Sequence, residues 1–262
     1  MDIIQVITKE LNVEKWQVEA AVKLIDEGCT IPFISRYRKE ATGSLNDEQL
    51  RTLHERLTYL RNLEEKKNQV LGSIEEQGKL TAELKKQILD AQTLVVVEDL
   101  YRPFRPKRRT RAIIAKEKGL EPLANIIMLQ MTVKPVEEEA QDLVSEEKGV
   151  ESVADAINGA KDIIAEHISD EADYRIYLRK LTMDRGSVAS TAKKPEESSV
   201  YEMYYEFEEP IKKLAGHRVL ALNRGEKEKI LTVKVNAPEE EAMGWLQKQV
   251  ITKENPITKP IL

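Results

Sequence analysis

The chain of 262 residues sets 41 Lys and Arg against 46 Asp and Glu, a formal net charge of -5, with 41% hydrophobic, 33% charged and 5% aromatic residues. That acidic balance excludes indiscriminate nucleic-acid binding by the whole surface, so any such binding has to be local, and the lone Cys29 excludes an intrachain disulfide or a thiolate metal cluster and fits a reducing cytoplasm. MDIIQVITKEL lacks the order of a signal peptide and no stretch approaches the roughly 20 apolar residues of a membrane span, so the expectation is a soluble, cytoplasmic, mainly α-helical protein of one large or two modest domains.

Residues 2 to 29 read as two short helices, the first on Ile3, Ile4, Ile7 and Leu11, the second on Val18, Ala21, Val22 and Ile25, with Asn12 between them and Gly28 closing the second. Trp16 reads as a core anchor. IPFISRYRKEATGSL, residues 31 to 45, reads as a short helix with one packed face, carrying Phe33, Ile34 and Tyr37, and one cationic face, carrying Arg36, Arg38 and Lys39. Ser44 and Asp47 have the spacing of a capping box for the next helix.

From Asp47 to about Gln77, Leu50, Leu53, Leu57, Leu60, Leu71 and Ile74 hold a 3,4 spacing broken at Glu64 and Lys67. Thirty helical residues would span roughly 45 Å at about 1.5 Å per residue. Gly78 ends this helix and Thr81 caps a second with Leu84, Ile88 and Leu89, giving a long helical hairpin arm whose stripe buries on its own partner helix. The apolar run Leu94 to Val97 with Leu100 then leads to YRPFRPKRRTR, residues 101 to 111. Six cations stand there with no acid: Arg102, Arg105, Lys107, Arg108, Arg109 and Arg111. Pro103 and Pro106 oppose helix, and an extended cationic segment with two aromatics suits a phosphate backbone. The alternative is a solvated basic loop pairing with acidic neighbours, Glu98 and Asp99 among them.

Beyond this basic elbow, residues 112 to 131 read helix, Gly119 turn, helix, with Pro122 in the first turn of the second. The spacing is helix-turn-helix-like by shape only, because the second helix lacks Arg or Lys to reach bases. A helix from Pro135 to near Gly149 is expected next, then an amphipathic one after Ser152, then one capped by Ser169 with Asp170 and Glu171. Ser187 to Ser199 reads as a surface loop or weak hairpin, Tyr201, Tyr204, Tyr205 and Phe207 as a packing cluster among glutamates, Ile230 to Val235 as a strand and Glu239 to Val250 as a last helix. The chain is thus expected to divide into three regions: 1–100 as N-terminal helices and hairpin arm, 101–186 as elbow and helix-turn-helix-like domain, and 187–262 as a mixed segment with a minor β element.

Catalytic signatures are missing. Gly72, Gly78 and Lys79 imitate a phosphate loop, but five residues intervene instead of four and Leu80 replaces Ser or Thr. His54, His167 and His217 sit far apart on separate elements without zinc-site spacing, and no Ser, His, Asp constellation occurs. The expectation is a protein that is not an enzyme and needs no cofactor or metal.

Three segments in the same order, IPFISRYRKEATGSLNDEQLR at 31 to 51, EDLYRPFRPKRRTRAIIAKEKGLEPLA at 98 to 124 and HRVLALNRGE at 217 to 226, resemble the N-terminal helical region of the Tex-like family of bacterial transcription accessory proteins. The resemblance implies an elongated, helix-rich, nucleic-acid-binding protein in which an RNase-H-like YqgF domain, a helix-hairpin-helix domain and an OB-fold domain come after this region; this sequence stops at Leu262, before all three, and the OB-fold is the implied main binder. Matching cations here are Arg36, Arg38, Lys39, Arg102, Arg105, Lys107, Arg108, Arg109, Arg111, His217, Arg218 and Arg224. The implied role is a non-catalytic scaffold, monomeric, holding RNA or DNA weakly through phosphate without base specificity. The alternative is a module that docks on RNA polymerase or a ribosome-associated protein, with the elbow purely structural.

Overall fold

The computed structural model describes residues 2–262 and divides into two compact units, Met1–Phe104 and Arg105–Leu262. Helix dominates both, as the sequence leads one to expect; the described residues hold one small sheet.

The first unit is built on its longest helix. Its elements are α1 (Ile3–Leu11), α2 (Lys15–Asp26), α3 (Ile31–Tyr37), α4 (Asp47–Glu76), α5 (Ala82–Asp90) and α6 (Leu94–Tyr101). On α4 one face buries Leu50, Leu53, Leu57, Leu60, Leu63, Lys67, Val70 and Ile74, the 3,4 periodicity of a single apolar stripe. The stripe is not reserved for the hairpin partner: it meets Ile7 of α1, Val18 and Ala21 of α2, Ile34 of α3, Ile88 of α5 and Val97 of α6. At nine residues, α5 is too short to cover a 30-residue helix, and the other helices take the rest. Each fully buried Leu contributes about 2 kcal/mol, which makes α4 the core of this unit.

Where the sequence breaks the stripe, Lys67 stays inside. Its ammonium donates to the Leu89 carbonyl at the end of α5 (2.8 Å) and lies 3.1 Å from Glu64 Oε1, so the charge satisfies an orphan helix-end carbonyl. Two paired forks hold the outer helices to α4. Arg56 grips Glu10 through Nε and Nη2 (2.5 and 2.7 Å), and Arg61 grips Asp26 through both Nη atoms (2.7 and 2.8 Å). Hydrogen bonds from these guanidinium groups hold the Glu10 and Asp26 carboxyls below their ordinary range.

Two local expectations change here. The reciprocal cap of α4 is Asn46 with Gln49 (2.8 and 3.0 Å), not Ser44 with Asp47, because Ser44 lies in the left-handed region at φ 64° and cannot cap from there. Trp16 is 52% exposed rather than a core anchor; its ring lies over Gly43.

The second unit begins with α7 (Arg111–Glu117), α8 (Glu121–Leu129), α9 (Val136–Gln141), α10 (Val153–Asp170) and α11 (Ala172–Arg185). Helix α10 is its centre: Ala156, Ala160, Ile163 and Ile164 pack with Ala112 and Ala115 of α7, Leu123 and Ile127 of α8, and Ala140 of α9. Gly159 leaves room for the Leu120 side chain, which any Cβ there would strike. The helix expected from 135 to 149 stops at Gln141. A 3-10 turn at Glu146–Lys148 and a bridge between Ser145 and Val150 replace its second half, and the reversal buries Val150 completely. Nor does Asp170 cap α11, which has no side-chain cap; it is buried at the end of α10.

Then come β1 (Ser187–Ala192), β2 (Glu206–Pro210), α12 (Gly216–Lys227), β3 (Leu231–Asn236) and α13 (Glu239–Val250). The stretch expected to be a surface loop or weak hairpin holds β1, the central strand of the antiparallel order β2-β1-β3. Val188 stands opposite Glu209 on one side and Val235 on the other. Its polar, small-residue sequence conceals this, because the inward position beyond Val188 is Ser190, buried and donating to the Tyr204 carbonyl (2.6 Å). Tyr201 and Tyr204 pack with Leu222 and Leu231 in a separate hydrophobic cluster, the packing role expected of them. Residues 105–262 hold two hydrophobic clusters in one compact unit.

Candidate nucleic-acid interface

The six cations of the elbow do not share one environment. Arg102 follows α6 in a 3-10 turn, Arg102–Phe104, at the end of the first unit; Gln77 Nε2 donates to the Phe104 carbonyl (3.0 Å) and fixes that turn. Arg105 to Thr110 then run without helix until Thr110 caps α7, its Oγ1 accepting from the Ile113 amide (3.1 Å). Pro106 explains the extended stretch, since it denies the segment a donor and restrains Arg105.

Lys107 turns inward. Its ammonium contacts Asp170 Oδ2 directly and lies 3.4 Å from Glu166 Oε2, while Thr110 Oγ1 donates to the other Glu166 oxygen (2.9 Å). All three charged side chains are largely buried, so this cluster clamps the elbow to the last turn of α10. A carboxylate pair so placed favours the cation that neutralises it.

The arginines turn outward. Arg102, Arg105, Arg108, Arg109 and Arg111 are all exposed. Arg109 meets Glu117 at 2.8 Å and Arg111 meets Asp162 at 3.4 Å, but their side chains remain 70% and 86% exposed. Such pairs contribute roughly 0 to 1 kcal/mol and are screened by salt. Arg102 and Arg105 also have partners. Arg108 makes no ion pair among the described residues.

On α3 the expected division of faces is different. Ile34 is wholly buried and Ile31 half-buried, and these two, at i and i+3, take the core side. Phe33 and Tyr37 do not join them: they are 38% and 68% exposed, with ring centroids 5.3 Å apart. Arg36, Arg38 and Lys39 are exposed and make no ion pair among the described residues, and the Arg38 guanidinium lies over the Phe33 ring, 5.6 Å from its centre. The signal that could have found this is the length of α3, since a seven-residue helix has one core face and two isoleucines fill it. A second aromatic group, Tyr177 on Trp245, is already stacked on itself at 3.8 Å.

The matching cations on α12 also divide. Arg218 folds back to Glu209 (2.7 Å) and over the Phe207 ring (5.7 Å), bracing the helix against β2. His217 and Arg224 are exposed.

The chain is similar to known proteins over most of its length. Residues 1–75 match the family model described as Tex-like protein N-terminal domain, and residues 131–259 the one described as Tex central region-like. YdcI of Bacillus subtilis (strain 168) is 46% identical over 261 residues, 98% of this chain and 36% of the relative. The transcriptional accessory protein Tex of Neisseria gonorrhoeae is 41% identical over 235 residues, 89% of this chain and 31% of that protein. The human S1 RNA-binding domain-containing protein 1 is 31% identical over 245 residues, 90% of this chain and 24% of its own length. The chain therefore spans about a third or less of the curated relatives it matches.

Proposed function

This chain belongs to the Tex-like family, and on that premise we propose that it is a non-catalytic, nucleic-acid-binding scaffold of a transcription accessory protein, holding RNA or DNA by sequence-independent phosphate contacts. The observation that carries the reading is the outward set at the elbow, where exposed arginines succeed one another along an extended segment inside an acidic chain. The ion pairs of Arg109 and Arg111 are solvent-exposed, so a phosphate can replace each carboxylate at little cost. Cations displayed by an irregular segment position a backbone rather than read base edges. That two relatives are named for RNA binding supports RNA as one of the ligands.

Lys107 stands outside this interface, because Asp170 and Glu166 already neutralise it. Docking on a protein through the stripe of residues 47 to 89 is disfavoured for the same kind of reason: that stripe is covered by α1, α2, α3, α5 and α6. A salt titration tests the proposal. Single-stranded affinity should fall as salt rises, and replacing Arg105, Arg108 and Arg109 with Ala should flatten the log-log slope by about 2, at roughly 0.7 per phosphate contact. Salt-independent binding, or an unchanged slope, refutes the elbow as the site.

A further inference from the structure

We propose that the exposed face of α3 is a separate site for single-stranded nucleic acid, in which Phe33 and Tyr37 stack on unpaired bases while Arg36, Arg38 and Lys39 hold the flanking phosphates. The inference rests on the nucleic-acid reading above and narrows its substrate class. Its starting point is that two large rings stand in solvent on one short helix, although Ile34 from the same helix is fully buried. The rings are tilted 45° to each other, and the Arg38 guanidinium lies over the Phe33 ring at 5.6 Å, which leaves Tyr37 as the more open π surface. Tyr37 in particular offers an accessible ring, with three exposed cations next to it in sequence at positions 36, 38 and 39.

The surface is held in place from below. Ile34 anchors α3 in the core, Thr42 Oγ1 donates to the Arg38 carbonyl (3.2 Å), and Gln17 Nε2 donates to the Gly43 carbonyl (2.9 Å). Trp16 then lies over Gly43, whose left-handed φ of 59° completes the turn. Rings and cations therefore meet a ligand from a backbone already ordered, with little further entropy to lose.

Charge argues for a polyanion over a protein. The cores of protein interfaces are depleted in charge, and an Arg or Lys desolvated without a counter-ion is costly. Glu40 is the one carboxylate between residues 31 and 45, and it pairs with none of the three cations among the described residues. A phosphate backbone brings the missing countercharge with it. Ring exposure argues for a single strand over a duplex, since a paired base presents its faces to its neighbours and not to a protein ring, whereas a base in a single strand can stack on an aromatic whatever its identity.

The test is fluorescence anisotropy of the 262-residue chain with a short labelled oligo(dT) strand, an oligo(U) strand and a duplex of equal length, at low and physiological salt. Tyr37→Ala is expected to weaken both single strands about 5- to 100-fold and to leave the duplex unchanged, while Tyr37→Phe, which keeps the ring, binds as the parent does. Arg36, Arg38 and Lys39 replaced together by Ala should reduce the single-strand salt slope by about 2. Tyr37 is well exposed, so neither variant threatens folding, and circular dichroism verifies that. The proposal is overturned if Tyr37→Ala binds single strands as the parent does, or if it weakens strand and duplex equally. Binding that responds only to the Arg105, Arg108 and Arg109 variant overturns this site and leaves the elbow intact; no binding to any oligonucleotide overturns both and redirects the α3 rings to a protein partner.

Discussion

The elbow and the α3 surface carry similar cations but dispose of them differently. At the elbow, Lys107 is buried against Asp170 and Glu166, Arg109 and Arg111 pair with carboxylates while staying largely exposed themselves, and Arg108 has no ion pair among the described residues. On α3, Arg36, Arg38 and Lys39 all lack an ion pair among the described residues; Arg38 lies over the Phe33 ring, and the Tyr37 ring stays 68% exposed. The difference teaches that a cationic run is not a uniform surface. What decides a ligand role is whether the fold has already neutralised each charge, and the denser run is the more fully engaged.

The largest effect that sharpens this comparison is Lys107→Ala. It leaves Asp170 and Glu166 largely buried without their cation, so the expected loss is about 3 kcal/mol of stability, read by thermal unfolding, with little change in oligonucleotide affinity once folded. A large loss of affinity with unchanged stability would move Lys107 into the interface. Next is Gly43→Ala, which alters no charge. A Cβ there would lie 2.5 Å from the Trp16 ring at a positive φ, and about 2 kcal/mol of destabilisation is expected, together with weaker single-strand binding by the displaced Arg38 and Lys39. Wild-type stability and binding in that variant would show that the turn does not position the α3 surface.

Acid should loosen the first unit modestly. Glu10 and Asp26 have folded pKa values below their unfolded ones, so their clamps contribute fully above the ordinary carboxylate range, roughly pH 4, and the contribution is lost as pH falls through the folded values. Both pairs are a third or more exposed, so screening keeps each below about 1 kcal/mol. Melting with and without Arg61→Gln between neutral and acidic pH checks it: the variant should be less stable at neutral pH and less sensitive to acid. The smallest effect is the stability change on Arg108→Ala, within about 0.5 kcal/mol, while its single-strand salt slope falls by about 0.7. Any marked drop in melting temperature would mean that Arg108 is structural like Lys107.

Much of this architecture is legible in the sequence because it is local. The α4 stripe, the left-handed Asn12, Gly28 and Gly78, and the caps at Thr81 and Ser152 are each written within a few residues of their effect. Even the break at Lys67 is visible, though not its remedy, since the Leu89 carbonyl that satisfies it lies 22 residues away. Strand β1 is hidden because Ser190 occupies an inward position that periodicity reserves for an apolar residue. The fate of Lys107 is hidden for a different reason: its partner Asp170 stands 63 residues further along and looks locally like a helix cap. Phe33 and Tyr37 read as packed because aromatic residues usually are, and only the competition with Ile31 and Ile34 for one short face reveals otherwise.

The central claim is that exposed, un-neutralised cations and open rings, and not the charge-dense elbow as a whole, meet the nucleic acid. Photo-cross-linking of an oligonucleotide carrying 5-iodouridine, with mass spectrometry of the adducts, tests it most directly, because the excited base couples to the aromatic ring it stacks on. Adducts on Tyr37 or Phe33, with none on the self-stacked Tyr177 and Trp245, are the predicted result. Efficient cross-linking at Tyr177 or Trp245 with Tyr37 and Phe33 untouched would contradict it.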